Sequence, residues 1–575
     1  MMSVPDYYNR VNVDLLRLMP PDARVVVEIG CGAGALAEAY RRINTQVHYF
    51  GIEKDPAAAR AAGASGRVDR VVAGDVETVD PAALDLSDTS PSVDCLVLGD
   101  VLEHMVDPWA VLARLVRWVR DGGQVLACIP NVQHYSVLVN LLRGKWDYQD
   151  EGLLDRTHLR FFTLSGVQEL FASAGLHVFE IQPRWWPSAE FDRFQQVMAP
   201  VLSGLAIDPA SFAAQTQAVQ YIVRAVRAVD PPRRLLIWSL LGSVIASEAR
   251  VGEPVRFLAT IPGVRTRAGT GLQFDDLART WPGEGKVFVQ QRCVIPRTDH
   301  LRLQRALLAQ GYLIVGEFDD DPQHFAELVH TDFFALRSCH CIQTTTDVMA
   351  ETLAAIHPHV VVFPNQMAGL PRPRAEAEFA ASPATLFFGA LNREADWAPL
   401  LPVLNRVLAK HGDRARVQVV YDRAFFDALA TRHKAFEPLC SHDRYHELLH
   451  EADIALLPLA PTRFNQHKSD LKFIECAAHG VAALASPTVY ERTIKSGETG
   501  VVYHSLEEFE MLLDRLIQDA PFRRRLGENA YRFVAEDRLL VRHYRARHDW
   551  YLAMLDRRIE LEAELLRRAP ELVGT

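Results

Sequence analysis

The chain lacks the marks of a secreted, membrane-spanning or nucleic-acid-binding protein. Its eight cysteines (Cys31, Cys95, Cys128, Cys293, Cys339, Cys341, Cys440, Cys476) are scattered and contain no CxxC pair. This excludes a disulfide framework or a zinc ribbon and suits reduced thiols in a cytoplasm. The longest apolar run, Leu235 to Ser247, falls short of the roughly 20 residues that cross a bilayer and reads as a buried segment. Met1 to Met19 has no basic cluster ahead of an apolar stretch, so no secretory signal is expected. Positive charge is in deficit: 62 Lys and Arg stand against 72 Asp and Glu, a net charge of −10. Nucleic acid is therefore not an expected partner. Internal repeats and low-complexity tracts are also missing. What the chain has is apolar bulk, 49% hydrophobic against 23% charged over 575 residues, which suits two or three ordered domains and a cytoplasmic location.

The densest local signal is Val25-Val26-Val27-Glu28-Ile29-Gly30-Cys31-Gly32-Ala33-Gly34, an apolar strand running into three close glycines ahead of a helical pattern. Glycine allows a tight turn and a close backbone approach to a ligand. About twenty residues on, Tyr49 to Glu53 reads as a second strand with an acid at its carboxyl end, where a ribose is held in such sheets. Gly74-Asp75 ends a third strand and Asp94 to Asp100 forms a fourth. This order resembles the class I S-adenosylmethionine-dependent methyltransferases. The resemblance implies a Rossmann-like α/β domain that binds S-adenosylmethionine through Glu28, Gly30, Gly32, Gly34, Glu53, Asp75 and Asp100, with Glu53 on the ribose and Asp75 on the adenine amine. Val101 to Trp109, Pro130 to Ser136 and Leu154 to Thr163 resemble the ubiquinone-biosynthesis-type O-methyltransferases and their relatives in glycan modification.

Strand and helix patterns alternate from Arg24 to about Gln182. They include a helical stretch Pro108 to Arg120, a strand Gln124 to Ile129 and, after a helical insert, an antiparallel closing strand near Val219 to Val226. Asp230-Pro231-Pro232-Arg233-Arg234 reads as a boundary. Two further α/β series follow, joined near Leu370 to Pro383. The expected domains are residues 1–230, a linker or entry segment at 231–247, an acceptor lobe at 248–382, a donor lobe at 383–545 and a terminal helix at 546–575.

In the last series, Ser469 to Val481 and Glu491 to Gly500 resemble the donor-binding domain of retaining GT-B glycosyltransferases. That resemblance implies a two-lobed GT-B module in which Glu475 binds the ribose of a nucleotide sugar while Lys472 and Arg393 approach its diphosphate. Lys472 and Glu475 stand at i and i+3, one helical face. The family often carries a second glutamate eight positions earlier, where this chain has His467. Asp319-Asp320-Asp321 would suit a metal-bound diphosphate, but acids at that place more often cap a helix or line an acceptor cleft. His479 and His467 read as packing residues.

Methyl transfer needs a nucleophile near the sulfonium methyl and a group to take its proton. His104, His134 and His158 are the candidates, with His158 favoured by its place in the Asp155-Arg156-Thr157-His158 cluster. If the segment is helical, Asp100, Glu103 and His104 share a face. The pattern resembles the metal site of the small-RNA 2′-O-methyltransferases, where His158 would complete the set, so these four residues could hold a divalent ion. The combined expectation is a bifunctional methyltransferase and glycosyltransferase acting on a surface glycan or glycoconjugate, with small-molecule donors and a glycan acceptor. The alternative is a methyltransferase for a phenol, quinone or sugar fused to a non-catalytic sugar-binding module. Oligomeric state is left open.

Overall fold

The computed structural model describes residues 10–79, 81–84, 86, 91–242, 247–272, 274–374 and 383–573. They divide into two compact units: one runs to Arg234 and takes in Ala259–Val264, and the other comprises Leu235–Leu258 and everything from Arg265 onward. The start of the chain, where no signal segment was expected, lies outside the described residues up to residue 9, as do residues 375–382 of the expected lobe junction.

The first unit is built on β1 (Val25–Ile29), β2 (His48–Glu53), β3 (Arg70–Ala73), β4 (Val93–Gly99), β5 (Val119–Pro130), β6 (His177–Arg184) and β7 (Gln220–Val226). They lie in the order β3-β2-β1-β4-β5-β7-β6. Six run in one direction, and β7, antiparallel to both β5 and β6, is the exception. Val26, Val97 and Leu126 pack one face against Tyr40 and Tyr49. Val27, Leu96, Leu98 and Val125 pack the other against Trp118 and Phe171. A sheet covered on both faces requires strands that are apolar on both sides, which is why β1 and β4 read as continuous apolar runs. The strand order reverses between β1 and β4, which opens a crevice at their carboxyl ends. β5 begins at Val119, five residues before the expected start at Gln124, and the helix before it ends at Leu115. The register with β4 slips between Val93 and Cys95, and position 123 admits only glycine without a shift, because a Cβ there would lie 2.8 Å from the Val93 carbonyl oxygen.

The second unit holds two six-stranded sheets. In the first, β8 (Leu235–Leu241), β9 (Val264–Gly269), β10 (Gly285–Gln291), β11 (Leu313–Glu317), β12 (Cys341–Thr344) and β13 (Val360–Val362) take the order β13-β12-β11-β10-β8-β9. In the second, β14 (Ala384–Gly389), β15 (Ala415–Val420), β16 (Lys434–Glu437), β17 (Ile454–Leu457), β18 (Ala482–Ala485) and β19 (Val501–Val502) take the order β16-β15-β14-β17-β18-β19, every neighbouring pair parallel. The fold is thus α/β throughout: a Rossmann-like sheet followed by a two-lobed GT-B module.

Two expectations are corrected. Residues 231–247 are not simply a linker, because Leu235–Leu241 is an interior strand of the first sheet of the second unit, parallel to β10 over seven residue pairs. Its first five residues are all buried, as an inner parallel strand demands; residues 243–246 are outside the described residues. The chain end is not one helix but two, Tyr544–Asp556 and Arg558–Arg568. Arg557 leaves helical geometry at ψ 4°, and the second helix then buries Leu561 and Leu565, with Leu565 in one apolar cluster with Phe334.

Candidate active sites

After β1 the backbone makes a turn that glycine adopts readily: Gly30, Gly32 and Gly34 have φ of 73°, 53° and 83°. Glu53, the last residue of β2, is buried and anchored at both oxygens. The Gly32 amide donates to Oε2 at 2.8 Å and the Asp55 amide to Oε1 at 2.8 Å. One carboxylate therefore ties the glycine loop to the end of the neighbouring strand. Glu28 is buried behind the loop, where the Tyr49 hydroxyl donates to its Oε2 at 2.8 Å. Burial, with the nearby Glu53 charge adding to it, pushes its pKa up to about 8. Asp75, just past β3, pairs with Lys54 at 2.9 Å, and that hydrogen bond holds its carboxyl below the usual range. Asp100 follows β4 with φ 54°, and its Oδ1 accepts from Gln220 Nε2 at 2.7 Å.

The segment beyond Asp100 is not the helix that would align it with Glu103 and His104. Only Leu102–His104 turns, as a 3₁₀ helix, and Asp100 stands before it in a left-handed conformation. The group the fold brings together is Glu103, His104 and His158, whose ligand atoms all lie within 4.8 Å of one another. Glu103 is 1% exposed, and among the described residues neither of its carboxylate oxygens has a hydrogen-bond partner. Burial, reinforced by Asp100, drives its pKa well above the ordinary value. The Leu159 and Arg160 amides donate to the Glu103 carbonyl at 2.8 and 3.0 Å, which docks the His158 loop on this turn. His104 and His158 meet edge to face with centroids 4.8 Å apart. His134 is engaged differently: it caps the helix Tyr135–Leu142, its Nδ1 meets Ser136 Oγ at 2.8 Å, and burial lowers its pKa to about 4.

In the second unit a cleft of about 320 Å³ opens at the carboxyl ends of both sheets; Arg292 and Asp320 line it from one lobe, Arg393, Lys468 and Lys472 from the other. Glu475 lies buried on the helix Leu471–Ala478. Lys472 Nζ donates to Glu475 Oε2 at 3.2 Å and to the Tyr445 hydroxyl at 2.9 Å, and that hydroxyl donates to Glu475 Oε2 at 3.3 Å. Burial works to raise the Glu475 pKa, but Lys472 and His446 outweigh it and leave the carboxyl below its ordinary value. Lys472 also sits 4.3 Å above the Tyr445 ring. Arg393 donates through Nη1 to Asn465 Oδ1 at 2.8 Å and pairs with Asp396 at 3.1 Å.

His467 does not face this group. Its Nε2 meets Thr352 Oγ1 at 2.8 Å and its Nδ1 the Arg463 carbonyl at 2.8 Å. The three aspartates are each matched by cations: Asp319 and Asp320 pair with Arg292, Asp320 also with Lys468, and Asp321 with Arg463 at 2.9 Å. Asp321 also caps the turn Pro322–His324. His479 is buried against His446, with Nε2 2.8 Å from His446 Nδ1, and burial lowers its pKa to about 2. Tyr445 and Lys468 were missed in the sequence. A tyrosine inside an apolar helical stripe looks like core, and only its contact with Glu475, 30 positions away, shows otherwise.

The sheet with its reversed strand order and acid-anchored glycine loop, and the paired parallel lobes around a cationic cleft, define two nucleotide-type transferase folds in one polypeptide. Comparison with known proteins gives the families. Residues 6–181 match the model of a methyltransferase domain, and residues 402–548 that of a glycosyl transferase-like domain. The chain is a fusion of these two enzyme domains. A ubiquinone biosynthesis O-methyltransferase of Cupriavidus pinatubonensis (strain JMP 134 / LMG 1197) is 28% identical over 157 residues, which cover 27% of this chain and 61% of that relative. The match therefore spans less than two thirds of the relative's length. Among solved structures, Anabaena Alr3699/HepE in complex with UDP and glucose is similar at 12% identity, over 56% of this chain and all of that one, with a TM-score of 0.41. The plantazolicin methyltransferase BamL in complex with SAH is similar at 13% identity, over 37% of this chain and 84% of that one, with a TM-score of 0.26.

Proposed function

We propose that the chain is a bifunctional transferase, an S-adenosylmethionine-dependent O-methyltransferase joined to a nucleotide-sugar-dependent glycosyltransferase, both serving assembly of a surface glycan or glycoconjugate in the cytoplasm. One observation, made twice, carries the reading: each half holds a buried carboxylate at the carboxyl ends of a parallel sheet, already fixed by its neighbours. Glu53 is fixed by two main-chain amides, and Glu475 by Lys472 and Tyr445. A carboxylate held in this way accepts ribose hydroxyls without having to be reorganised.

In the first half we assign Glu28, Gly30, Gly32, Gly34, Glu53, Asp75 and Asp100 to the cofactor, and His104 and His158 to the acceptor hydroxyl; His134 acts by holding its helix in place. The buried, unpartnered Glu103 carboxylate beside two imidazoles is a donor set that suits a divalent cation. Glu103, His104 and His158 would hold such an ion, which when bound acidifies a hydroxyl. In the second half, bond cleavage leaves charge on the departing diphosphate, and Arg393 and Lys472 are the fixed cations that offset it.

The test is titration of the full chain with S-adenosylhomocysteine and, separately, with UDP, GDP and ADP, together with mass spectrometry of co-purifying nucleotides. Glu53→Ala should abolish only the first affinity and Glu475→Ala only the second. Uptake of neither ligand class by the wild-type chain would overturn the reading. Methylation of phenolic acceptors but not of glycans, with no release of nucleoside diphosphate from nucleotide sugars, would establish the small-molecule alternative.

A further inference from the structure

Lys468 has no part in the assignments above, yet its ammonium lines the same cleft as Arg393 and Lys472. It lies 4.3 Å over the Phe464 ring and pairs with Asp320 of the facing lobe. Asp320 does not serve Lys468 alone, because it also pairs with Arg292 at 2.8 Å. Arg292 is itself held at φ 46°, a left-handed conformation that a long side chain rarely adopts and that collects at functional sites. Lys468 and Arg393 are set by one short stretch of chain: Asn465, three residues before Lys468, accepts from Arg393 and donates to Asp396 at 2.7 Å. Burial lowers the Lys468 pKa, and the charges of Arg393 and Arg292 push the same way against Asp320, so the three cations are crowded. Arg292 is paired also with Asp319 and Arg393 with Asp396, so Lys468, whose carboxylate is shared with Arg292, is the cation of the three that an entering anion can draw away.

Resting on the glycosyltransferase reading, we propose that Lys468 is a further diphosphate-binding residue, which Asp320 holds in place until the donor arrives and takes back when the nucleoside diphosphate leaves. In this arrangement the phosphate oxygens and Asp320 compete for one ammonium. The two members of the pair therefore act on diphosphate affinity with opposite sign. A bridge that served only to hold the two lobes would behave differently, since losing either end would remove the same contact.

The experiment measures binding of UDP, GDP, ADP and inorganic pyrophosphate to the full chain by calorimetry, for wild type, Lys468→Met, Lys468→Arg and Asp320→Asn. Melting curves confirm that each variant is folded. Lys468→Met should weaken binding of whichever diphosphate the wild type takes by about tenfold or more, the value of one charge-assisted hydrogen bond. Lys468→Arg should recover most of the loss, and Asp320→Asn should tighten binding by roughly threefold or more. Equal weakening by Lys468→Met and Asp320→Asn, or no change in either, would overturn the proposal while leaving the glycosyltransferase reading intact, provided Glu475→Ala still abolishes binding. If the wild type binds none of the four probes, both fall together. Should Asp320→Asn fail to fold, Asp320→Ser and the Lys468→Arg rescue give the same sign comparison.

Discussion

Replacing Glu53 by glutamine removes one charge and one acceptor at the point where the glycine loop meets β2. The two amides of Gly32 and Asp55 each claim a different carboxylate oxygen at 2.8 Å. A glutamine has a single oxygen, so it can satisfy only one of them and turns its own N–H groups toward the other. The loss is one hydrogen bond to a charged group and a donor facing a donor, and the ribose diol loses its anionic acceptor. Together these should amount to about 2–3 kcal/mol, or roughly 30- to 150-fold in Kd. Calorimetric titration of the full chain with S-adenosylhomocysteine measures this directly, and binding to the second unit serves as the internal control for folding. A change of less than about threefold, with the glutamine variant melting like the wild type, would refute the assignment of Glu53 to the ribose.

Other perturbations reach other parts of the molecule. Glu28 keeps its proton in the folded state up to about pH 8, whereas the ordinary value is 4.5. Its stabilising contribution is thus full below about 4.5 and is lost as pH rises toward 8. Unfolding of the ligand-free chain in urea should show the first unit weakening over that range by a few kcal/mol, and Glu28→Gln should flatten the dependence; an unchanged slope would contradict it. If Glu103, His104 and His158 hold a metal, chelation should stop methyl transfer and added divalent ions should restore it, and elemental analysis of His158→Ala should find the metal lost. Full transfer in excess chelator removes the metal from the account. Gly389→Ala would place a Cβ 2.8 Å from the Tyr445 ring and 2.7 Å from Phe387. Overpacking of this kind costs about 1–3 kcal/mol, and because Tyr445 carries Lys472 and Glu475, nucleoside-diphosphate affinity should drop while S-adenosylhomocysteine affinity stays the same.

The α/β class and the two domain families could be read from the chain because their evidence is local. Gly30 to Gly34 and the Lys472 to Glu475 helix are each confined to a few consecutive residues, where backbone conformation and side-chain face follow directly from spacing. The parts that could not be read depend on distance along the chain. Tyr445 becomes a partner of Glu475 only when the helix His442–His450 brings its ring against Phe387 of β14 and Tyr421 after β15, and Lys468 meets Asp320 across 148 positions. Leu235–Leu241 resembled an entry segment because a strand buried on both faces has no period that separates it from any other apolar run. The helical face expected for Asp100, Glu103 and His104 failed because a left-handed residue at the end of β4 starts the turn one step too late. The proline pair at 231–232 marks a boundary in composition, but the chain re-enters the first unit after it, at Ala259–Val264.

That return has a practical consequence for anyone who would separate the halves. Arg224 is 1% exposed, and its guanidinium is met by Glu180 at 2.6 Å, the Ala259 carbonyl at 2.9 Å and the Thr260 carbonyl at 2.7 Å, while Gln124 also donates to Thr260 at 3.1 Å. A fragment ending at Arg234 would carry that cation without two of its three acceptors. The first unit is completed by chain from beyond the proline pair: a gene cut there yields a first unit with an open seam, and a workable dissection has to carry the stretch around Thr260 along with it.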